Sequence, residues 1–501
     1  MNEIELKFQV PAARREALRR WVAGGANPPA RRQRLQAAYF DTPARDLARA
    51  GLALRLRREG PRWVQTLKGA GADGMTRLEH NVALDDRGAT LPALEAARHA
   101  GHPAGERLLA LLAGLPANAL ACLFRTDIWR LKRPLRTRRG VVELAFDEGF
   151  LIADGAAGGP QRLPVCELEI ELLSGAPQAV LEVAQRHALR LGLWLDQRTK
   201  AQRGDMLARA EAMAPPVGAR PVQLQRGSTP AQGLHAVLLA CLQQILPNAS
   251  QLADGLFAPE HLHQLRVGLR RLRSALALFK GLDAAADDET LAELSAALFR
   301  SLGAARDGDV QRDSPWSAEL AAALRAHWPE AAPALASSAP AESPALLLRG
   351  RSGQMLLLTL MRRIAELAAE AELEAKAKLK PVLRRRLQRW SEVLRADAKR
   401  FAALDEPQRH RLRKRIKRLR YALEFSAGLF EPGELKRWSR GLAAAQQALG
   451  ELNDLALALR QDGGDGGGEA RHFFALGWLQ ARHDQRLREL APLMRKLARQ
   501  G

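Results

Sequence analysis

Glu3, Glu5 and Lys7 alternate with Ile4, Leu6 and Phe8 at the start of the chain. A strand has a two-residue side-chain period, so it would put two carboxylates and an ammonium on one face and three apolar side chains on the other. Carboxylates are hard oxygen ligands for divalent cations and ammonium groups hold phosphoryl oxygens, so such a face suits a metal held beside a polyphosphate. A half-buried strand with a solvated charged face alternates in the same way, and recurrence separates the two readings. Glu167, Glu169 and Glu171 share a face opposite Leu168, Ile170 and Leu172, and Glu143 and Asp147 share one at a spacing of four. Basic strands answer them. Arg55 and Arg57 stand opposite Leu52, Leu54 and Leu56, and Thr66-Leu67-Lys68 and Leu123-Phe124-Arg125 each end on a cation. In the next strand Arg77, Glu79 and Asn81 share a face. Two arginines at i and i+2 beside Lys7 and Lys68 can fork onto successive phosphoryl groups.

Strands with charges on one side and apolar residues on the other need cover for the apolar side. The expected fold of the first part is therefore α+β: a closed antiparallel barrel of about eight strands, with charges lining a wet tunnel and apolar faces turned outward under helices. Ala12–Val22, Leu91–Leu112 and Gln178–Leu191 are the helical stretches available for that cover. Gly24–Pro29 breaks the first helix. Asp41 in Asp41-Thr42-Pro43 reads as turn and cap chemistry. Gly69–Gly74 follows a strand but precedes another, so it reads as a hairpin loop with no helix N-terminus to cradle a phosphate. Lys132 to Arg139 reads as a solvated basic run around a hairpin, and Glu167 as lying outside the site.

Glu-x-Glu-x-Lys at Glu3, Glu5 and Lys7, then Tyr39-Phe40-Asp41-Thr42-Pro43, Leu54-Arg55-Leu56-Arg57, Thr66-Leu67-Lys68 and Glu169-Ile170-Glu171 resemble, in this order, the CYTH superfamily of triphosphate-handling tunnel enzymes. The resemblance spans roughly residues 1 to 205. Arg125 matches a family position for a tunnel arginine, and Gln197–Gly204 resembles the closing segment, with Lys200 and Arg203 as candidate phosphate contacts. Asn81 stands where the family often has a carboxylate. The resemblance implies a catalytic set of Glu3, Glu5, Lys7, Arg55, Arg57, Lys68, Glu79, Arg125, Lys200 and Arg203. It also implies Mg2+ or Mn2+ on Glu3, Glu5, Glu143, Asp147, Glu169 and Glu171.

Ala214–Pro221 is a linker by composition, which divides the chain into a domain at 1–205, a linker at 206–227 and a domain at 228–501. Beyond it the alternation gives way to helical periodicity and an internal repeat. His263-Gln264-Leu265-Arg266-Val267-Gly268-Leu269-Arg270-Arg271-Leu272-Arg273 returns 147 residues later as His410 to Arg420, and Leu302-Gly303 with Asp307 returns at the same offset as Leu449-Gly450 with Asp454. Each copy has a core stripe, Leu265, Leu269, Leu272 and Leu276 or Leu412, Ile416, Leu419 and Leu423. Beside it run His263, Arg266, Arg270 and Arg273, matched by His410, Arg413, Lys417 and Arg420. One such face alone would be a solvated one; repetition in register with the core points to use. This region resembles the CHAD domain, an all-α module of two duplicated helical bundles, and that resemblance implies long-chain polyphosphate as the ligand of the two cation rows. Where the first copy has Asp309 the second has Ala456. Pro329–Pro344 and Gly463–Gly468 read as low-complexity mobile loops.

The chain carries 77 Lys and Arg against 55 Asp and Glu, a net +22, and both halves are basic, which argues for a polyanionic substrate or partner. Aromatics are 5% with two tyrosines, a poor supply for base stacking, and no zinc-finger or RRM signature is present, so no specific nucleic-acid partner is expected. Three widely spaced cysteines fit neither a disulfide framework nor a zinc site. With no signal-like start and no apolar run of about 18 residues, the expected setting is cytoplasmic, without a membrane. The function expected is metal-dependent hydrolysis of inorganic triphosphate to diphosphate and phosphate, joined to a polyphosphate-binding helical domain. Rivals are a thiamine triphosphatase or class IV adenylyl cyclase on the same barrel, or a polyphosphate-binding protein that is no enzyme. The last has little use for six carboxylates on tunnel faces, because they repel an anion unless a metal is present.

Overall fold

Eight strands carry the alternation into a closed antiparallel barrel: β1 (Asn2–Gln9), β2 (Arg31–Asp41), β3 (Leu52–Glu59), β4 (Arg62–Ala70), β5 (Thr76–Leu84), β6 (Ala121–Arg136), β7 (Gly140–Asp154) and β8 (Pro160–Gly175). Their order is β5-β4-β3-β2-β6-β7-β8-β1, and pairing of β1 with β5 closes the ring; a short β9 (Trp194–Leu195) adds to β1. The computed structural model describes residues 2–24, 29–70, 75–86, 88, 90–116, 118–154, 159–282, 286–312, 315–328, 343–371, 378–462 and 470–499. The tip of the glycine-rich hairpin at 71–74, most of the break at Gly24–Pro29 and most or all of the two low-complexity loops lie outside them. Two compact units result, one of 1–218 with 242–265 and 345–365, the other of 219–241 with 266–344 and 366–501.

In the first unit the outward apolar faces are covered as their pattern requires. Leu52, Leu54 and Leu67 form one buried cluster with Leu47 of α2 (Asp46–Arg49) and with Ala104 and Leu108 of α3 (Pro103–Leu112). Only the second half of Leu91–Leu112 is α-helical; Ala96–His99 is a 3-10 turn. Outside the barrel, α1 (Arg15–Ala23) ends on Arg133, whose Nε donates to Val22 O at 2.9 Å, so one member of the basic hairpin run caps a helix. Asp41 is buried and accepts from the backbone N–H groups of Thr42, Leu47 and Ala48, fixing the start of α2. Gln178–Leu191 forms α4 (Gln178–Val183) and a π turn.

The interior is divided along its length. Toward one end it is charged; toward the other Leu35, Ile128, Leu151 and Val165 form one apolar cluster and Ala37, Tyr39, Phe124 and Ala153 a second. Leu207 of α5 (Lys200–Ala208) packs against both clusters, with Ala201 and Ala208 against the second, so α5 stoppers that end. A Cβ on Gly204 would lie 2.2 Å from the Phe124 ring, which is why the helix carries glycine where it meets the wall.

Among the described residues, the elements beyond 229 are helices, chiefly α6 (Pro230–Asp254), α7 (Pro259–Phe279), α8 (Ala286–Arg312), α9 (Pro315–His327), α10 (Pro344–Arg349), α11 (Arg351–Ala371), α12 (Leu379–Lys399), α13 (Glu406–Phe425), α14 (Pro432–Ser439), α15 (Leu442–Asp462) and α16 (Ala470–Arg499). The repeat is structural, since α7 and α13 start 147 residues apart and bury the same stripe, Leu265, Leu269 and Leu272 or Leu412, Ile416 and Leu419. Among the described residues no helix is long and apolar enough to cross a membrane.

Candidate active site: a charged tunnel

Strand register decides which side chains share the tunnel. Glu5 lies opposite Glu171, which lies opposite Glu143; Lys7 lies opposite Glu169; Gln9 lies opposite Glu167, which lies opposite Asp147. Across the seam Glu3 is opposite Arg77, Glu79 opposite Lys68, and Tyr39 opposite Arg55. The structure thus brings together Glu3, Glu5, Lys7, Arg55, Arg57, Lys68, Glu79, Glu143, Asp147, Glu169 and Glu171.

Arg125 is not among them. It is exposed and lies opposite Ala38, one residue out of phase with Tyr39 and Phe124, whose side chains point inward. A one-residue slip in a strand reverses the face. The inward cations of β6 are instead Arg130, which donates to Asp147 Oδ1 at 2.7 Å and also holds Glu169, and Lys132, 3.1 Å from Glu143. The sequence offered a signal for both: they alternate with Trp129 and Leu131 as the other tunnel charges do with their neighbours.

Two carboxylate groups emerge. Asp147, Glu167 and Glu169 bring one oxygen each within 4.8 Å of the others, a spacing able to hold a metal. They are already met by cations. Lys200, from α5, lies 2.7 Å from Asp147 and 2.9 Å from Glu169 and also contacts Glu167; Arg203 pairs with Glu167; Lys7 lies 3.3 Å from Glu169. Burial would raise the carboxyls, but Lys200, Arg203 and Lys7 hold Glu167 down at about 2, and Lys200, Arg130 and Lys7 hold Glu169 well below the usual range. Burial would lower the Lys200 ammonium, yet Asp147, Glu167 and Glu169 raise it overall. Glu167 is therefore inside the barrel, and Lys200 and Arg203 face carboxylates.

The second group is Glu3, Glu5, Glu143 and Glu171. The row Glu5, Glu171, Glu143 sets like charges directly opposite one another, which is unfavourable without a cation. Glu171 is pushed up to about 7 by burial, against Lys68, with Glu5, Glu143 and Glu169 adding to it. Glu3 is pushed up to about 8 by burial, against Lys68, with a shared hydrogen bond to Glu79 and the charges of Glu5 and Glu79 adding to it; Glu79 goes down, so the pair keeps one proton between them. Lys68 bridges Glu3 and Glu79 at 2.6 and 2.7 Å, and Arg77 reaches Glu5 at 3.0 Å. A hard, oxygen-rich donor set with too little positive charge fits a divalent ion.

On the facing strand Arg57 pairs with Glu59. Arg55 has no ion pair among the described residues: one Nη donates to the Tyr39 hydroxyl at 3.2 Å, and its Nε is buried without a partner. Tyr39 in turn stacks on Phe124, centroids 4.5 Å apart.

In the helical region the repeated motifs touch each other. A Cβ on Gly303 would lie 3.5 Å from Arg266, and one on Gly450 would lie 3.9 Å from Arg413. Arg266 is buried over the Phe299 ring at 4.5 Å, with Arg273 over the same ring at 5.6 Å. Arg413 is pushed down by burial and by Arg270, against Asp454, so the two copies bring like charges near one another. His410 meets Asn453 at 3.1 Å. Lys417 lies half-buried on α13, and Arg420 is exposed, as are the flanks of that row; His263 lies on α7 one turn before Arg266.

A model of the CYTH domain matches residues 1–204, and one of the CHAD domain matches residues 236–461. An inorganic triphosphatase of Haemophilus influenzae is 28% identical over 174 residues, 34% of this chain and 44% of that protein. An uncharacterized protein of Mycobacterium tuberculosis is 29% identical over 298 residues, 56% of this chain and 52% of its own. The matched region spans about half the length of these curated relatives. The crystal structure of the CHAD domain from the plant Ricinus communis is 30% identical, with a TM-score of 0.46, over 56% of this chain and 96% of that one.

Proposed function

From the premise that the chain is a CYTH domain followed by a CHAD domain, we propose that it hydrolyses inorganic triphosphate to diphosphate and phosphate inside the barrel and binds long-chain polyphosphate on the helical domain, with the domains set at 1–205 and 228–501. The observation that carries the first half is Arg55, a half-buried guanidinium in the tunnel whose buried Nε has no partner and which makes no ion pair among the described residues, facing a carboxylate row short of positive charge. An anion beside a cation satisfies both walls. The inorganic triphosphatase of Haemophilus influenzae among the relatives favours an inorganic substrate.

Glu3, Glu5, Glu143 and Glu171 would hold Mg2+ or Mn2+, which would neutralise phosphoryl oxygens and lower the pKa of a bound water. Asp147 and Glu169, named for the same role by resemblance, serve better as anchors for Lys200 and Arg130. Arg55 and Arg57 would fork onto phosphoryl oxygens and spread the charge that develops as the bond breaks. Lys68 and Lys7 would complete that cradle, Lys68 moving between Glu3, Glu79 and the substrate. Tyr39 holds the Arg55 guanidinium in place, and Glu79, through their shared hydrogen bond, favours a proton on Glu3. In the helical domain, Arg270 and Arg413 each bury an Nε without a partner, and their mutual repulsion favours a bridging polyanion.

The test is phosphate release from tripolyphosphate, ATP, thiamine triphosphate and long-chain polyphosphate, each with Mg2+, Mn2+ or EDTA. Tripolyphosphate should turn over fastest and only with metal. No phosphate from tripolyphosphate under either metal would sink the reading, and faster turnover of thiamine triphosphate would replace the substrate.

A further inference from the structure

Where α5 fills the barrel, the outer face of the wall loses its cover. Trp129 on β6 and Phe150 on β7 are 43% and 41% exposed. Trp129 lies opposite Glu148, and Phe150 opposite Asp127, so the two rings are diagonal neighbours on adjacent strands, about 7–8 Å apart at the backbone. Each carries a guanidinium: Arg32 of β2 lies 4.3 Å from the Trp129 ring centroid, and Arg162 of β8 lies 5.7 Å from that of Phe150.

The charges around these rings are unbalanced. Asp127 is held by Nε and Nη2 of Arg34 at 2.8 and 2.6 Å, and Glu148 by Arg19 at 2.8 Å and Arg15 at 3.6 Å. Both acids of this face are thereby matched. Arg32, Arg162 and the outward Arg125 have no ion pair among the described residues. A surface with unmatched guanidiniums repels a second copy of itself, and exposed rings have no use in binding a polymer that lacks flat groups. A polyanion that also has flat groups satisfies both features.

We propose that this outer face is a stacking platform for single-stranded nucleic acid, bound through phosphate and base faces without sequence preference. Two bases would stack on the Trp129 and Phe150 side chains or on the guanidinium planes lying over them, as on the central strands of other sheet platforms. Arg125, Arg32 and Arg162 would meet the phosphates. The low overall aromatic content matters less than where two of the rings stand.

The experiment is fluorescence anisotropy with labelled oligouridylate and oligothymidylate of equal length, on the full chain and on W129A/F150A and W129L/F150L variants. The leucine pair keeps apolar area and removes the π faces. Hydrolysis of tripolyphosphate and affinity for long-chain polyphosphate, which needs no ring, serve as fold controls. Loss of two stacked bases should weaken oligonucleotide binding about 30-fold or more in both variants, leaving the controls unchanged, and the preferred oligonucleotide says whether RNA or DNA is the natural source. Wild-type affinity in the leucine variant would overturn the proposal and assign binding to basic surfaces alone. A dimer broken by the variants with no change in oligonucleotide binding would also overturn it, making the face a self-contact.

Discussion

The two carboxylate groups in the tunnel share β7 and β8 and face the same interior, yet they differ in who answers them. Asp147, Glu167 and Glu169 face Lys200, Arg203, Arg130 and Lys7. Glu5, Glu171 and Glu143 face one another across three strands, with Lys132 and Arg77 at the margins. Closeness of oxygens alone would nominate the first group for a metal. Charge balance nominates the second, because a neutralised cluster gains little from a further cation while an unbalanced one requires it. The first group joins wall to stopper; the second is the one proposed to hold the metal.

The largest test of that contrast is Glu167→Gln. Removing one partner of a buried ion pair leaves Lys200 and Arg203 short of charge and should cost about 3–5 kcal/mol of stability, read by urea unfolding. Unchanged stability with lost activity would reverse the two assignments. Glu5→Gln and Glu171→Gln should each lower phosphate release at least about 100-fold, and Glu171→Gln, which removes a carboxyl that burial and like charges disfavour, should leave the unfolding midpoint unchanged or raise it. Arg55→Ala should lower kcat/KM for tripolyphosphate roughly 10- to 100-fold, the worth of a charged hydrogen bond or two. An unchanged value would place that guanidinium outside the reaction.

Metal-free protein should show the contrast as two limbs of a stability–pH curve. Glu171 and Glu3 are raised in the folded state to about 7 and about 8, so the fold binds more protons than the unfolded chain and loses stability as pH climbs from 5 to 8. Glu167 and Glu169 are lowered, so their contribution is present above the ordinary carboxyl pKa and is lost as pH falls toward about 2. Each limb should amount to about 1–2 kcal/mol. Urea midpoints across pH, with EDTA and with Mg2+, check it; an alkaline limb that persists with Mg2+ would place the metal elsewhere.

Most of the tunnel wall was legible because the period of two is a property of the strand itself. Glu3, Glu5 and Lys7, Arg55 and Arg57, and Glu169 and Glu171 fall on the inner face by alternation, whatever their partners. β6 was misjudged at Arg125 because the phase of a strand is set by its neighbours, and Tyr39 opposite Phe124 fixes it. Its tunnel members Arg130 and Lys132 were hidden at the edge of a basic run that looked solvated. Glu167 could not be assigned from its own strand, since its neutralisers sit on α5, more than 30 residues downstream. In the helical region the shared 147-residue offset has a contact behind it: Arg266 lies against Gly303 and Arg413 against Gly450, so each motif preserves the other's fit. The burial of Arg266 on Phe299 depends on a helix whose sequence gave no hint of it.

The α5 helix makes the barrel a cul-de-sac. Whatever enters at the charged end must leave the way it came, because Leu207 and Ala208 pack into the apolar end against Phe124, Ile128 and Val165. A polymer cannot be threaded through such a chamber, so the proposed cleavage would be confined to short molecules or to the last few units of a longer one. Both pieces of a molecule cut there would share the one exit, and the piece deeper in the chamber would wait on the other.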